Sequence, residues 1–168
     1  MSNEEKREEI FDRARKKFGF VPNVIKELAL SPVVAEAYMT GVAAQERGAS
    51  FTKQELQAIN LALSAAEGCK YCKAAHSAMG KMAGLAPGEI ELIKTGNKPE
   101  DERLAALVGA ARLVREKRGK LTTDDLKQIE FSGIVKSEIY ELIMLIANKV
   151  IPTYINHIAG TRIDREFS

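Results

Sequence analysis

The apolar residues of this chain recur three and four positions apart along almost its whole length, and no run alternates convincingly between apolar and polar residues. That spacing predicts amphipathic helices, because side chains three and four residues apart lie on one helix face, whereas a half-buried strand has a period of two. The sequence therefore predicts an all-α fold of about eight or nine helices.

Residues with strong preferences for helix ends set the limits of these segments. Thr52 and Glu55 match the T-x-x-E pattern of a capping box at a helix start. Gly68 separates two apolar segments, and Pro152 predicts a kink inside the last helix. The expected helices are residues 3–18, 22–30, 32–47, 53–67, 69–83, 87–94, 100–117, 123–131 and 137–159.

Size and charge indicate one domain with no nucleic-acid partner. A chain of 168 residues suits a single core, so we expect residues 1–168 to form one all-α domain. The 25 basic and 23 acidic residues are interleaved and form no concentrated basic face. The most apolar stretch, residues 139–151, is shorter than a membrane span, and residues 1–9 lack the apolar core of a secretory signal. We therefore expect no membrane association and a cytoplasmic location.

Both cysteines and one of the two histidines lie in the segment CKYCKAAH, residues 69–76. In a helix, Cys69 and Cys72 have Cα atoms about 5 Å apart, within the roughly 4.4–6.8 Å that a disulfide spans. Cys72 and His76 are four residues apart, so their side chains are neighbours on one helix face. The spacing predicts a dithiol that can form a disulfide, with His76 beside Cys72 as a proton acceptor or a cationic neighbour.

Gly68 is expected to end the preceding helix, which places Cys69 at the N-terminus of the next one. Unpaired amides and the helix dipole favour a thiolate there. In a cytosolic chain a C-x-x-C pair indicates redox or metal chemistry, because so short a loop adds little stability. A thioredoxin-like protein would need strands around the pair, so the dithiol belongs to a different scaffold.

Other interpretations of these residues stay open from the sequence. The two cysteines can be small, inert core residues. With His76 and His157 they can also form a tetrahedral metal site, although the usual second pair of ligands is missing. His157 is otherwise expected to have a structural or interface role, and Tyr71 to be a packing residue with a tethered hydroxyl.

Residues 52–76, TKQELQAINLALSAAEGCKYCKAAH, resemble the core of the carboxymuconolactone decarboxylase superfamily, and most closely its alkylhydroperoxidase D-like, peroxidase-related branch. The shared pattern is a helix that opens with T-x-x-E, a run of small residues up to Gly-Cys, and then Cys-x-Tyr-Cys-x-x-Ala-His. Residues 156–161, NHIAGT, are more weakly similar to the tail of peroxidase-related members. The core similarity covers about residues 33–115. It implies an all-helical fold that assembles as a homo-oligomer, a trimer or a hexamer.

The resemblance also implies peroxide reduction by the dithiol, with no metal or haem cofactor beyond the redox-active disulfide Cys69–Cys72. By position, Cys72 is the peroxidatic sulfur, Cys69 the resolving sulfur, and His76 part of the proton relay. The implied partners are a hydroperoxide substrate and an external thiol reductant, such as a lipoyl-bearing or thioredoxin-like protein. The glutamate of the family relay is replaced by Gln57, which can orient an imidazole but cannot exchange a proton. Glu67 is the candidate substitute.

Three rival functions remain. A disulfide reductase or thiol exchange protein uses the same residues on a different substrate. The decarboxylase branch acts on a lactone acid without a thiol pair, so the intact C-x-x-C argues against it. A non-enzymatic helical assembly or metal-binding module is the third.

Overall fold

A computed structural model describes residues 2–168, and over these residues the chain is all-α, as predicted. A short 3₁₀ turn at Arg165–Phe167 follows the helices. The nine helices are α1 (Asn3–Phe18), α2 (Asn23–Leu28), α3 (Pro32–Gly48), α4 (Lys53–Ala66), α5 (Lys70–Met82), α6 (Pro87–Lys94), α7 (Glu102–Glu116), α8 (Thr123–Phe131) and α9 (Lys136–Ala159).

The helix ends follow the capping chemistry in the sequence. The Thr52 hydroxyl accepts from Glu55 N, and the Glu55 carboxylate accepts from Thr52 N, so the predicted capping box is confirmed. Pro32 and Pro87 occupy the first turns of α3 and α6, where no amide hydrogen is needed. Cys69 is the residue before α5 rather than its first helical residue, because its side chain caps the helix.

Helix α4 is the centre of the molecule and packs against α5, α6, α7 and α9. Its side chains are apolar on more than one face, and Ala58, Ile59, Leu61, Ala62 and Leu63 are all at most 1% exposed. Burying a side chain the size of leucine or isoleucine contributes about 1.5–3 kcal/mol. This burial fixes α4 as a rigid base for α5, which carries both cysteines.

Helix α9 is longer than the apolar stretch that the sequence analysis considered, because the helix continues through Pro152 to Ala159. In the described part of the chain it is the one helix long and apolar enough to cross a membrane by length and composition, a test that core helices of soluble proteins also pass. Its buried face carries Lys149, Thr153 and Asn156, and it packs against α2, α3, α4, α5 and α7. These contacts make α9 a core helix of this fold.

The C-terminal segment returns over α5 and covers one side of the cysteine region. Gly160, with φ of 59°, ends α9 in the left-handed conformation and turns the chain back. The Tyr71 hydroxyl donates to Asp164 Oδ2 at 2.5 Å and accepts from Val24 N at 3.3 Å. The ring of Phe167 lies edge-on to Tyr71, with centroids 6.1 Å apart. Tyr71 is therefore a packing residue with a tethered hydroxyl, as the sequence analysis expected.

Candidate active site

The cysteine pair lies where α4 ends and α5 begins. Gly68 has φ of 67°, which glycine adopts without strain, and it turns the chain from α4 into α5. The Cys69 sulfur accepts from Cys72 N at 3.2 Å and so caps α5. Cys69 and Cys72 are joined by a disulfide with Cα atoms 5.3 Å apart, which agrees with the spacing expected from helix geometry. The pair is therefore in its oxidised form at a helix N-terminus.

The two sulfurs differ in access. Cys69 is 1% exposed and Cys72 is 3% exposed, so neither lies on the outer surface. Cys72 lines a cavity of about 270 Å³, and Cys69 is not among the lining residues. A molecule that enters this cavity meets Cys72 first.

Two side chains of α9 contact the sulfurs. Asn156 Nδ2 lies 3.4 Å from Cys72 Sγ and 3.9 Å from Cys69 Sγ, and Thr153 Oγ1 lies 3.7 Å from Cys72 Sγ. Both residues are buried. An amide N–H directed at sulfur favours the charged thiolate when the disulfide is reduced. From the sequence, Asn156 is noticed only as part of the segment that resembles the family tail, and Thr153 is not predicted as a site residue.

His76 is held by Gln57 of α4. Its Nδ1 lies 2.9 Å from Gln57 Oε1, and since that oxygen can only accept, Nδ1 carries the proton and Nε2 has a free lone pair. Burial, together with the nearby positive charge of Lys149, holds the pKa of His76 well below its usual value. The ring is therefore neutral at pH 7. His76 and Cys72 line the same cavity, but the described residues include no hydrogen bond between them.

The neutral state of His76 distinguishes between its two expected roles, proton acceptor and cationic neighbour of Cys72. A neutral imidazole can accept a proton but supplies no positive charge to a neighbouring sulfur. The alternative of His76 as a cationic neighbour of Cys72 is therefore not supported by the environment of the ring.

Glu67 is placed away from this site. Its Oε1 accepts from Arg115 Nε at 2.6 Å, which holds the side chain against α7, and it does not line the cavity that contains Cys72. The expectation that Glu67 substitutes for the family glutamate has no geometric support, because the ion pair with Arg115 directs its carboxylate elsewhere. The structure brings Cys69, Cys72, His76 and Gln57 together, and Glu67 is not with them.

Lys149 of α9 is a member of the site that sequence analysis did not identify. It is 6% exposed and lines the same cavity as Cys72 and His76. Among residues 2–168 it has neither a hydrogen-bond partner nor an ion-pair partner for its amino group. Burial lowers the pKa of Lys149 to about 7. With Thr153 and Asn156 it forms a buried polar stripe at positions i, i+4 and i+7 of α9, and this spacing is the signal that the sequence contained.

The cavity is lined mainly by apolar residues, and its polar lining includes His76, Lys149 and Asn156. Its apolar wall includes Phe18, Met39, Val42, Met79 and Phe167. A smaller cavity of about 70 Å³ lies behind His76 and shares its imidazole and Lys149 with the first. The volume of the larger cavity, about 270 Å³, lies just below the roughly 300–1,000 Å³ of drug-sized ligand pockets, which indicates a small ligand.

The alternative metal site is not assembled. Its fourth expected ligand, His157, is exposed on α9, while Asn156 is the neighbour that faces the sulfurs. No group of three metal-ligating side chains was found in residues 2–168.

Comparison with known proteins shows which family and which solved structures this chain resembles. Residues 32–97 match the model of the carboxymuconolactone decarboxylase family, and this range overlaps the region, about residues 33–115, that the sequence resemblance covered. A solved structure described as an alkylhydroperoxidase AhpD core, an uncharacterized peroxidase-related protein from Ralstonia eutropha JMP134, superposes with a TM-score of 0.87 at 23% identity, covering 97% of this chain and 87% of that chain.

A second structure, an uncharacterized peroxidase-related protein from Silicibacter sp. TM1040, gives a TM-score of 0.83 at 20% identity, covering 95% of this chain and 85% of that chain. No curated protein sequence matches the chain. At these identities the two structures establish the fold alone. The part of the chain that carries the cysteines, residues 32–97, is therefore similar to the carboxymuconolactone decarboxylase family, and the fold of the chain is that of the alkylhydroperoxidase AhpD core.

Proposed function

We propose that this chain is a thiol-dependent peroxidase that reduces a small hydroperoxide through the Cys69–Cys72 pair. The observation that carries the proposal is the arrangement of the disulfide: Cys72 faces the cavity, and Cys69 lies behind it at the helix N-terminus. A substrate therefore reaches one sulfur only, and the other is already within bonding distance to complete the cycle.

The first chemical step takes place at Cys72. Its thiolate attacks the terminal oxygen of the hydroperoxide, the O–O bond breaks, and Cys72 becomes a sulfenic acid. Neutral His76 accepts the thiol proton at Nε2, through a water molecule, and returns it to the departing alkoxide, which leaves as an alcohol. The Asn156 amide, 3.4 Å from the sulfur in the disulfide, stabilises the thiolate before attack.

The second step closes the disulfide. The Cys69 thiolate attacks the Cys72 sulfur, and the sulfenic oxygen leaves as water after taking a proton. The hydrogen bond from Cys72 N to Cys69 Sγ, 3.2 Å long, and the N-terminus of α5 favour the ionised form of Cys69. The two thiols have then given two electrons to the peroxide, and an external dithiol must supply two electrons for the next cycle.

Gln57 sets the limit of the proton relay. It orients His76 through Nδ1 but has no proton to exchange, so the relay ends at the imidazole. We expect a slower peroxidase than one with a carboxylate at this position.

The test is a count of thiols during turnover. Reduced protein mixed with cumene hydroperoxide is expected to lose both thiols and to produce one alcohol for each disulfide formed. The variants Cys69→Ser and Cys72→Ser are a matched pair: Cys69→Ser is expected to accumulate a sulfenic acid that dimedone traps, whereas Cys72→Ser is expected to lose no thiol. Equal rates of thiol loss in wild type and Cys72→Ser would refute the proposal.

Thiol exchange is the second candidate, because Cys69 and Cys72 lie within disulfide distance and a disulfide there can receive electrons from a dithiol. The small cavity restricts such a substrate to a small disulfide or dithiol. Turnover of a dithiol substrate with no consumption of peroxide would favour this function. Activity on a lactone acid that survives loss of both cysteines would instead favour the decarboxylase branch.

The proposed partners and assembly follow from exposure. Because Cys72 is 3% exposed, a slender dithiol such as a lipoyl arm fits the role of reductant better than the flat surface of a thioredoxin-like protein.

Helix α9 exposes an apolar stripe on the face opposite Lys149, formed by Tyr140, Ile143, Tyr154 and Ile158. We propose this stripe as the contact surface of a homo-oligomer, a trimer or a hexamer. We propose a cytoplasmic location, where reducing partners are available.

A further inference from the structure

Lys149 has no function in the peroxidase cycle proposed above, yet it lies in the cavity where that cycle takes place. A lysine that is 6% exposed and has no partner among the described residues is unusual, because burying an unpaired amino group is costly. A core position of this kind favours an apolar residue unless a ligand supplies the missing partner. An anionic group in the cavity is such a partner.

We propose that the cavity binds small apolar carboxylic acids, with Lys149 as the residue that holds the carboxylate. This inference rests on the proposed function, so the substrates are hydroperoxides that carry a carboxylate. Lys149 is a specificity-determining residue in this account and takes no part in breaking the O–O bond.

The positions of the helices set the distance between the two ends of the substrate. Cys72 lies beside Thr153 of α9. His76 follows Cys72 by one turn in α5, Lys149 precedes Thr153 by one turn in α9, and the charge of Lys149 acts on the His76 ring. The two helices therefore run in opposite directions here. The backbone positions of Lys149 and Thr153 are about 6 Å apart along α9, so Lys149 enters the cavity wall one helical turn from the residue that lies beside the sulfur.

The other charged groups of the cavity are already paired or neutral. Lys17 donates to both carboxylate oxygens of Glu46 at 2.6 and 2.7 Å. Arg13 donates to Glu36 at 2.5 Å. Lys149 is the remaining cation in the described part of the cavity wall, and it has no ion-pair partner among the described residues.

Carboxylate binding is expected to depend on pH, because Lys149 changes its charge near neutral pH. Burial raises the pKa of Tyr38 to about 12, and the His76 ring is neutral, so neither gains or loses a proton between pH 7 and pH 9. The oxidised cysteines do not titrate. Lys149 loses its charge as the pH rises through about 7, so carboxylate affinity is expected to fall over that range.

The first arm of the test measures binding without turnover. The oxidised protein is titrated with 4-isopropylbenzoate and with 4-isopropylbenzyl alcohol, which share their apolar part and differ in charge. The benzoate is expected to bind and to raise the melting temperature, the alcohol to bind at least tenfold more weakly, and the difference to disappear in Lys149→Met. Lys136→Met removes a lysine from the exposed part of α9 and is expected to behave as wild type.

The second arm measures catalysis with a matched substrate pair: cumene hydroperoxide and its para-carboxylate, 4-(2-hydroperoxypropan-2-yl)benzoate. The reacting group is the same in both. In Lys149→Met, the ratio of kcat/KM for the carboxylate to kcat/KM for cumene hydroperoxide is expected to fall at least tenfold, mainly through KM for the carboxylate. The ratio is the readout because any effect of Lys149 on the pKa of His76 is shared by both substrates.

The outcomes separate this inference from the proposed function. Equal binding of benzoate to wild type and Lys149→Met, or an equal fall in kcat/KM for both hydroperoxides, overturns the carboxylate site and leaves the peroxidase intact. Binding as expected with neither hydroperoxide consumed refutes the peroxidase and leaves the carboxylate site supported.

Discussion

His76 Nδ1 and Gln57 Oε1 are 2.9 Å apart, and this single hydrogen bond fixes which ring nitrogen can act as a base. Because the amide oxygen accepts the Nδ1 proton, Nε2 is unprotonated on a ring that burial keeps neutral. A glutamate at position 57, which the family resemblance leads us to expect, would bring a negative charge to the same nitrogen. In the relay proposed above, Gln57 orients His76 but cannot act as a second proton acceptor.

Gln57→Glu is therefore expected to improve the peroxidase. A carboxylate beside Nδ1–H favours the imidazolium and raises the pKa of His76 from its depressed value. We expect an increase of about tenfold in kcat/KM, less than the roughly 10²–10⁴-fold of a complete general acid–base contribution, because His76 already acts as a base in wild type. A pH–rate profile is the measurement: wild type should show no acidic limb that arises from His76, since this base is already unprotonated. The variant should lose activity on the acidic side as His76 takes up a proton.

Gln57→Leu is the control for this comparison. It removes the hydrogen bond but adds no charge, so it should lower kcat/KM without an acidic limb. If both variants match wild type in rate and pH profile, His76 does not take part in proton transfer.

The α9 contacts to sulfur are expected to set the reactivity of reduced Cys72. Asn156→Leu removes the amide donor, so a smaller fraction of the thiol is ionised at neutral pH. We expect alkylation of reduced Cys72 by iodoacetamide at pH 7 to slow several-fold, with a smaller effect for Thr153→Val, whose oxygen is farther from the sulfur. At a pH where the thiol is fully ionised, the rates of wild type and variants should converge. Rates that differ by the same factor at every pH would instead indicate a change in access.

The sequence predicts the helices and the α4–α5 part of the site, because both depend on residues that are close together in the chain. Caps such as Thr52 with Glu55, the turn at Gly68, and the spacing of Cys69 and Cys72 depend on residues a few positions apart, and these local interactions are present in the sequence itself. Gln57 is found because it belongs to the same contiguous pattern.

The α9 half of the site depends on packing between distant parts of the chain. Asn156 and Cys72 are 84 residues apart in sequence, and nothing local indicates that they meet. The spacing of Lys149, Thr153 and Asn156 indicates that one face of α9 is polar. It does not indicate which helix packs against that face. The position of the Glu67 carboxylate also depends on a distant contact, since its partner Arg115 lies 48 residues away.

Lys149→Met is expected to stabilise the ligand-free protein at neutral pH. Burial lowers the pKa of Lys149 from 10.5 to about 7, so the unfolded chain binds more protons than the folded one between those values. Wild-type stability therefore rises with pH across that interval. The gain from Lys149→Met should be largest at and below pH 7, about 1–4 kcal/mol, and should shrink as the pH approaches 10.

Urea unfolding of the oxidised protein at several pH values measures this difference, with Lys136→Met as the control. A gain that is the same at pH 6 and pH 10 would show that lost charge is not its cause.

Tyr71→Phe is expected to release the C-terminal segment from the cavity. The substitution removes the hydrogen bond from the Tyr71 hydroxyl to Asp164, and leaves the 6%-exposed Asp164 carboxylate with Asn23 N as its remaining described partner. Hydrogen bonds to charged groups contribute about 1.5–3 kcal/mol, so we expect a loss of that size in unfolding free energy.

Because Phe167 forms part of the cavity wall, its release should also expose Cys72 and speed reduction of the disulfide by dithiothreitol. Tyr154→Phe, at an exposed tyrosine of α9, is the matched control and should change neither quantity. Loss of stability with no change in the rate of disulfide reduction would show that the C-terminal segment does not control access to Cys72.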